Sequence, residues 1–97
     1  MSDYQALLSK LILIIGKDQL NQALQALYYY IDYDDMGELH KANDLFTTLA
    51  RDATIKHPTL TIPITSFIIG IYMNAMDIPE DVAYTYVQKN IMNNTLH

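Results

Sequence analysis

Nineteen consecutive residues, Pro58–Met76, carry no charged side chain, and the acidic turn Asp77-Ile78-Pro79-Glu80-Asp81 follows at once. Within the run, Ile64, Phe67, Ile68, Ile71, Tyr72, Ala75 and Met76 recur at steps of three and four, the spacing of one face of an α-helix. Pro63 is expected to confine regular helix to residues 64–76, about 20 Å at 1.5 Å per residue, which is short for a bilayer crossing. Thr59, Thr61, Thr65, Ser66 and Asn74 also interrupt the apolar character. The segment therefore reads as a buried helix of a bundle in preference to a transmembrane span. Thr61 is the expected cap, Pro63 sits in the first turn where its missing donor does little harm, and Gly70 predicts a close approach by another backbone.

The rest of the chain repeats the helical period. Ser2-Asp3-Tyr4-Gln5 reads as a capping box, after which Tyr4, Leu7, Leu8, Leu11, Ile12, Ile14 and Ile15 follow at mostly helical spacing up to Gly16, a natural C-cap. Lys17 and Asp18 link this helix to a second run, Leu20, Ala23, Leu24, Leu27, Tyr28 and Ile31, and so short a link implies a helical hairpin. Asp35 and Glu38 cap a third helix whose inward stripe is Leu39, Ala42, Phe46, Leu49, Ala50 and Ala53 and which fades before Pro58. Pro79, Glu80 and Asp81 open a fifth helix with an apolar stripe of Val82, Ala83, Tyr86, Val87 and Ile91. Residues 92–97 are expected to fray. The fold class is all-α: one domain over residues 1–97, an antiparallel four-helix bundle, with a fifth helix as the open alternative.

Composition narrows the function classes. The chain has 97 residues and no cysteine, which excludes disulfides and thiolate metal sites and fits a reducing cytosol. Six basic residues (Lys10, Lys17, Lys41, Arg51, Lys56, Lys89) are scattered among eleven acidic ones, for a net charge of -5. A phosphate track for nucleic acid needs cations grouped together, and the same scatter disfavours anionic lipid. Met1-Ser2-Asp3 lacks the basic start of a signal peptide, and the apolar run at residues 11–15 is shorter than its core.

No catalytic constellation emerges. His40 and Asp44, one turn apart with Glu38 nearby, are the only metal-like grouping, and without a second motif to complete it they read as surface electrostatics. His57 and His97 have no adjacent acid or nucleophile, Ser9 and Ser66 sit in helical patterns, and three isolated glycines form no phosphate loop. The expectation is a protein that is not an enzyme and holds no cofactor or metal. Tyr28-Tyr29-Tyr30-Ile31-Asp32-Tyr33-Asp34-Asp35 concentrates tyrosines and carboxylates and reads either as a contact surface or, preferably, as a bundle end with Tyr28 turned inward. On the last helix Tyr86 belongs to the core stripe, whereas Tyr84 and Gln88 share another face and are interface candidates.

Glu38-Leu39 to Leu49-Ala50, then His57-Pro58-Thr59-Leu60, an apolar helix, and a last helix after Ile78-Pro79 together resemble the small immunity proteins that protect lactic acid bacteria from their own pediocin-like bacteriocins, the enterocin A immunity family. In that family a proline near the start of an apolar third helix precedes a similar closing helix. The resemblance implies a cytoplasmic, monomeric bundle, peripheral at most to the inner face of the membrane. It implies stoichiometric action on the sugar-transporter receptor, the membrane part of the mannose phosphotransferase system, once bacteriocin has engaged it. Specificity would reside in the C-terminal half, with Tyr84, Gln88, Lys89, Asn93 and Asn94 as recognition candidates. Two other readings remain open. One is a small helical interaction module or regulator, phage-encoded or dimeric through Ile62, Ile69 and Met73; the other is a membrane-inserted immunity peptide.

Overall fold

Gly16 alone, and not a Lys17-Asp18 link, separates the first two helices. The computed structural model describes residues 2–93, with the side chains of Ser2 and Tyr4 outside that description, as are the expected capping box at Ser2 and the recognition candidate Asn94. Helix α1 is Ser2–Ile15 and α2 is Lys17–Tyr33, so Lys17 and Asp18 form the first turn of α2 instead of a link. Gly16 makes the corner alone at φ 97° and ψ 119°, backbone that a side chain would strain. On α2, Leu20, Ala23 and Leu27 are buried as expected, but Ala26 and the half-buried Tyr30 complete the inward face. Tyr28 and Ile31 turn outward, 48% and 40% exposed. The reason is the neighbour: α2 packs most extensively on α3 (Met36–Lys56), and small inward side chains let two helix axes lie close.

Local chemistry sets the ends of α3. Asp34 takes the left-handed conformation (φ 54°) and its N–H donates to Tyr30 O at 2.7 Å, closing α2. The next residue, Asp35, caps α3, its Oδ1 accepting from the backbone of Gly37 at 3.0 Å and Glu38 at 3.4 Å. All six expected stripe residues are buried, from Leu39 to Ala53, and the helix stops before Pro58. Asn43 is buried on the same face.

A 3-10 turn, Pro58–Leu60, leads into α4 (Thr61–Met76), three residues ahead of the expected start. Thr61 does not cap it; its hydroxyl donates back to Pro58 O at 2.8 Å, and Leu60 occupies the cap position without a side-chain bond. Pro63 is the third helical residue, where an N–H has no acceptor within the helix. Ile64, Ile68 and Tyr72 are fully buried, with Ile69 beside them and Phe67, Ile71, Ala75 and Met76 packed at the margin. Asp77, again left-handed, ends the helix.

Pro79 caps α5 (Glu80–Val87) in extended conformation instead of entering its first turn. Ala83, Val87 and Ile91 are buried and Tyr86 half-buried, but Val82, expected inward, is 47% exposed. The helix then widens into a π turn, Gln88–Met92, with the Asn93 N–H reaching Gln88 O. A π turn inserts one residue into the helical register, so Ile91 and Met92 both point inward. Met92, expected to begin the tail, is therefore part of the core. Buried side chains from α1 (Leu11, Ile15) through Met92 form one cluster that joins all five helices.

Candidate interaction groove

The side of α4 away from α3 is not covered along its length. Ile62 is 79% exposed, Ser66 is exposed and Gly70 half-exposed, each four residues after the last. Alongside them Ile69 and Met73 face α5, and a groove of about 790 Å³ runs between the two helices. Its far wall is Tyr84, Thr85, Gln88 and Met92, and its only charges are Glu80 and Asp81, both exposed in the first turn of α5. Toward the end opposite these acids lies Thr65, whose hydroxyl donates to Thr61 O at 2.8 Å and lies 3.9 Å from the sulfur of Met92. A second groove, of about 640 Å³, lies on the other flank of α4 between Leu7, Leu8 and Leu11 of α1 and Leu24 and Tyr28 of α2. Both grooves share Ile62, Ser66 and Gly70, so the outer ridge of α4 is a low saddle between two apolar troughs.

Gly70 is not a point of close approach inside the chain, contrary to expectation: a Cβ there would have no neighbour within 4 Å. The residue costs helix stability without serving any internal contact. Gly70→Ala is therefore expected to stabilise the protein by about 0.5–1 kcal/mol, a rise in Tm of about 3–8 °C by thermal circular dichroism. A lowered Tm would mean that the backbone at this position is crowded within the chain after all.

A polar network holds the groove's two helices from behind. Tyr72 on α4 donates its hydroxyl proton to Asn43 Oδ1 at 2.7 Å, and Asn43 Nδ2 donates to the hydroxyl of Tyr86 at 2.8 Å. Phe46 meets the Tyr72 ring edge-on at a centroid distance of 5.3 Å, and Tyr86 lies 5.5 Å from the same ring. Three elements, α3, α4 and α5, are thus tied through one asparagine. Burial, and then the neighbouring Tyr86 hydroxyl, push the Tyr72 phenol well above its ordinary pKa, so it stays protonated through the physiological range. Among the described residues, no buried side-chain nitrogen or oxygen lacks a partner.

The recognition candidates separate in space. Tyr84, 53% exposed, and Gln88 line the α4–α5 groove together. Lys89 lies on another face of the helix, in a recess with Val82, Tyr86 and Asn90, and Asn93 is exposed at the helix end. Sequence reasoning missed Thr65, Ser66, Gly70 and Met92 as groove residues; the four-residue step from Ser66 to Gly70 on an uncharged helix was the available signal. It also missed Asn43, whose signal was a polar residue four after Leu39 and three before Phe46 on the inward stripe.

The other candidates take surface positions. His40 and Asp44 are exposed, and no group of three potential metal ligands converges among the described residues. In the tyrosine cluster the half-buried ring is Tyr30, not Tyr28, while Tyr29 and Tyr33 pair at 4.6 Å on the surface. Pro58–Met76 is long and apolar enough to cross a membrane, and 22% of it is buried. One of its faces carries the core residues Ile64, Ile68 and Tyr72; the opposite face is the saddle. No protein-family model, curated protein or solved structure matches this chain.

Proposed function

We propose that this chain is a non-catalytic binding protein of the bacteriocin-immunity kind, resembling those directed at pediocin-like peptides. In this reading its helices form an antiparallel four-helix bundle extended by a fifth. It acts as a monomer in the producer cytoplasm, peripheral to the inner face of the membrane, on the mannose phosphotransferase permease engaged by bacteriocin. The observation that carries a binding role is the open α4–α5 groove, apolar on its floor, with the recognition candidates Tyr84 and Gln88 on its wall.

Expression of this chain alone in a sensitive lactic acid bacterium should protect against one or a few members of a panel of pediocin-like peptides. Exchange of residues 79–97 with the corresponding segment of another immunity protein should redirect that protection. Unchanged killing across a panel that includes the peptide encoded beside this protein, with expression verified, would remove the immunity reading. The second reading is a helical interaction module, expected to dimerise through Ile62, Ile69 and Met73; Ile69 is buried in the core, so Ile62 and Met73 are the side chains left for such a contact, and the 79% exposure of Ile62 is what favours it. Light scattering separates the two, since immunity by this route expects a constant monomer mass.

A further inference from the structure

We propose that the α4–α5 groove receives an α-helix of a partner, apolar along the side that enters and bearing lysine or arginine at the end that meets Glu80 and Asp81. This deepens the binding role proposed above and rests on it, but not on which peptide or receptor is involved. Three observations define the occupant. Ile69 and Met73 on α4 are apolar, and Met92 adds an apolar side chain to the far wall, so the entering surface is apolar. Gly70, with no internal neighbour within 4 Å, and Ser66 one turn earlier leave the α4 backbone open to close approach, and small residues at this spacing let two helices pack at short axial distance.

Charge supplies the polarity. Glu80 and Asp81 stand at one end of the groove, no basic residue lines it, and the opposite end is the neutral set Thr61, Thr65 and Gln88. An entering helix therefore has a preferred direction, cationic end toward the start of α5. A second copy of this chain is the poorer occupant, because it would bring a net charge of -5 against another -5. Along α4 the groove runs from Thr61 to Met73, which corresponds to about 12 residues of helix, or roughly 18 Å.

The test uses the full chain and a fluorescein-labelled synthetic helix of about 14 residues, long enough to fill that length. One side of the probe is leucine and alanine, the other glutamine, with two lysines at one terminus; a control peptide carries two glutamates there. Fluorescence anisotropy should show saturable binding of the lysine peptide and several-fold weaker binding of the glutamate peptide. Gly70→Leu, which fills the saddle, should weaken binding by at least about tenfold, as blocking a central contact does. Glu80→Gln combined with Asp81→Asn should weaken it about threefold to tenfold, the range for two exposed ion pairs, and raising salt from about 50 to about 500 mM should erase that difference. Circular dichroism melts confirm folding, and if Gly70→Leu does not fold, the charge variant decides.

Absence of saturable binding overturns the proposal, as does equal binding of the two peptides. So does a concentration-dependent dimer that Gly70→Leu dissolves, which would give the groove to a second copy. Partition into phosphatidylcholine vesicles that Gly70→Leu abolishes would give it to a lipid surface and has the same consequence. Protection of cells without peptide binding would sink this inference and leave the immunity reading standing. Peptide binding without protection would do the reverse.

Discussion

Replacing Asn43 with alanine is expected to remove about 2–3 kcal/mol of folding stability, because it strands a fully buried hydroxyl and takes a donor from a second one. For a domain of this size that corresponds to a fall in Tm of about 10–20 °C. Tyr72 has no exposed surface and gives its proton to Asn43 Oδ1, so the substitution takes away the acceptor of a buried hydroxyl. Tyr86, half-buried, loses the bond from Asn43 Nδ2 but keeps access to water, so it contributes less to the loss. Tyr72→Phe leaves the complementary defect, an asparagine oxygen without its donor, at a cost of about 1–2 kcal/mol. Combining Tyr72→Phe with Asn43→Leu removes both polar partners at once, and should recover much of the single-site losses, since an apolar replacement of a whole pair approaches neutrality. Urea melts of the parent, Asn43→Leu, Tyr72→Phe and the double variant close the cycle and give the coupling; separately, a cost below about 0.5 kcal/mol for Asn43→Ala would mean that the network does not fix α4 against α3.

Stability should also fall steeply in alkali. The Tyr72 phenol is held protonated in the folded state well above its ordinary value of 10.0, first by burial and then by the Tyr86 hydroxyl beside it. A folded-state pKa raised in this way means that the contribution is complete below pH 10 and is lost as pH rises above it. Between those limits the unfolded chain binds one proton fewer than the native one, and the slope is about 1.4 kcal/mol per pH unit for this group. The loss accumulates for as long as the unfolded phenol is ionised and the folded one is not, and it is obtained without mutation. Tyr72→Phe supplies the control: less stable than the parent near neutrality, it should show a shallower decline above pH 10. If parent and variant lose stability in parallel from pH 9 to about 12, the buried phenol is not what links folding to pH.

Both predictions concern the wall behind the groove, and that location connects them to binding. The Tyr72–Asn43–Tyr86 chain sets α4 and α5 at one separation, so the opening in which Tyr84, Gln88 and Gly70 stand has a defined width. A partner helix then meets a surface already shaped for it, and less ordering free energy is lost on association. Substituting Asn43 should accordingly loosen binding of the probe helix as well as folding, whereas Gly70→Ala should stabilise the fold while narrowing the saddle.

Much of the helical layout was legible from residue order because its causes are local. A carboxylate at Asp35 reaches the amides two and three residues on, proline at 58 disfavours helix just before it, and inward stripes obey a 3.6-residue period whatever lies opposite. All six apolar positions expected on the α3 stripe are buried, with Asn43 added to them by the fold, and the all-helical class followed from the same period. Where an element's environment decides, periodicity misled: Tyr28, Ile31 and Val82 fit the inward spacing yet stand outside, while Ala26 lies inside, because the facing helix selects side chains by size and shape. The π turn at Gln88–Met92, which seats Met92 in the core, left no mark in the helical period by which it could have been read. Asn43 is an ordinary polar residue until Tyr72 and Tyr86 arrive from 29 and 43 residues away to share its amide. Residue order alone therefore determined the helices, most of their ends and the apolar character of the segment that includes α4. Only the tertiary structure decided which side of α4 is left uncovered, because exposure belongs to the packing of all five helices and to no single stretch of chain.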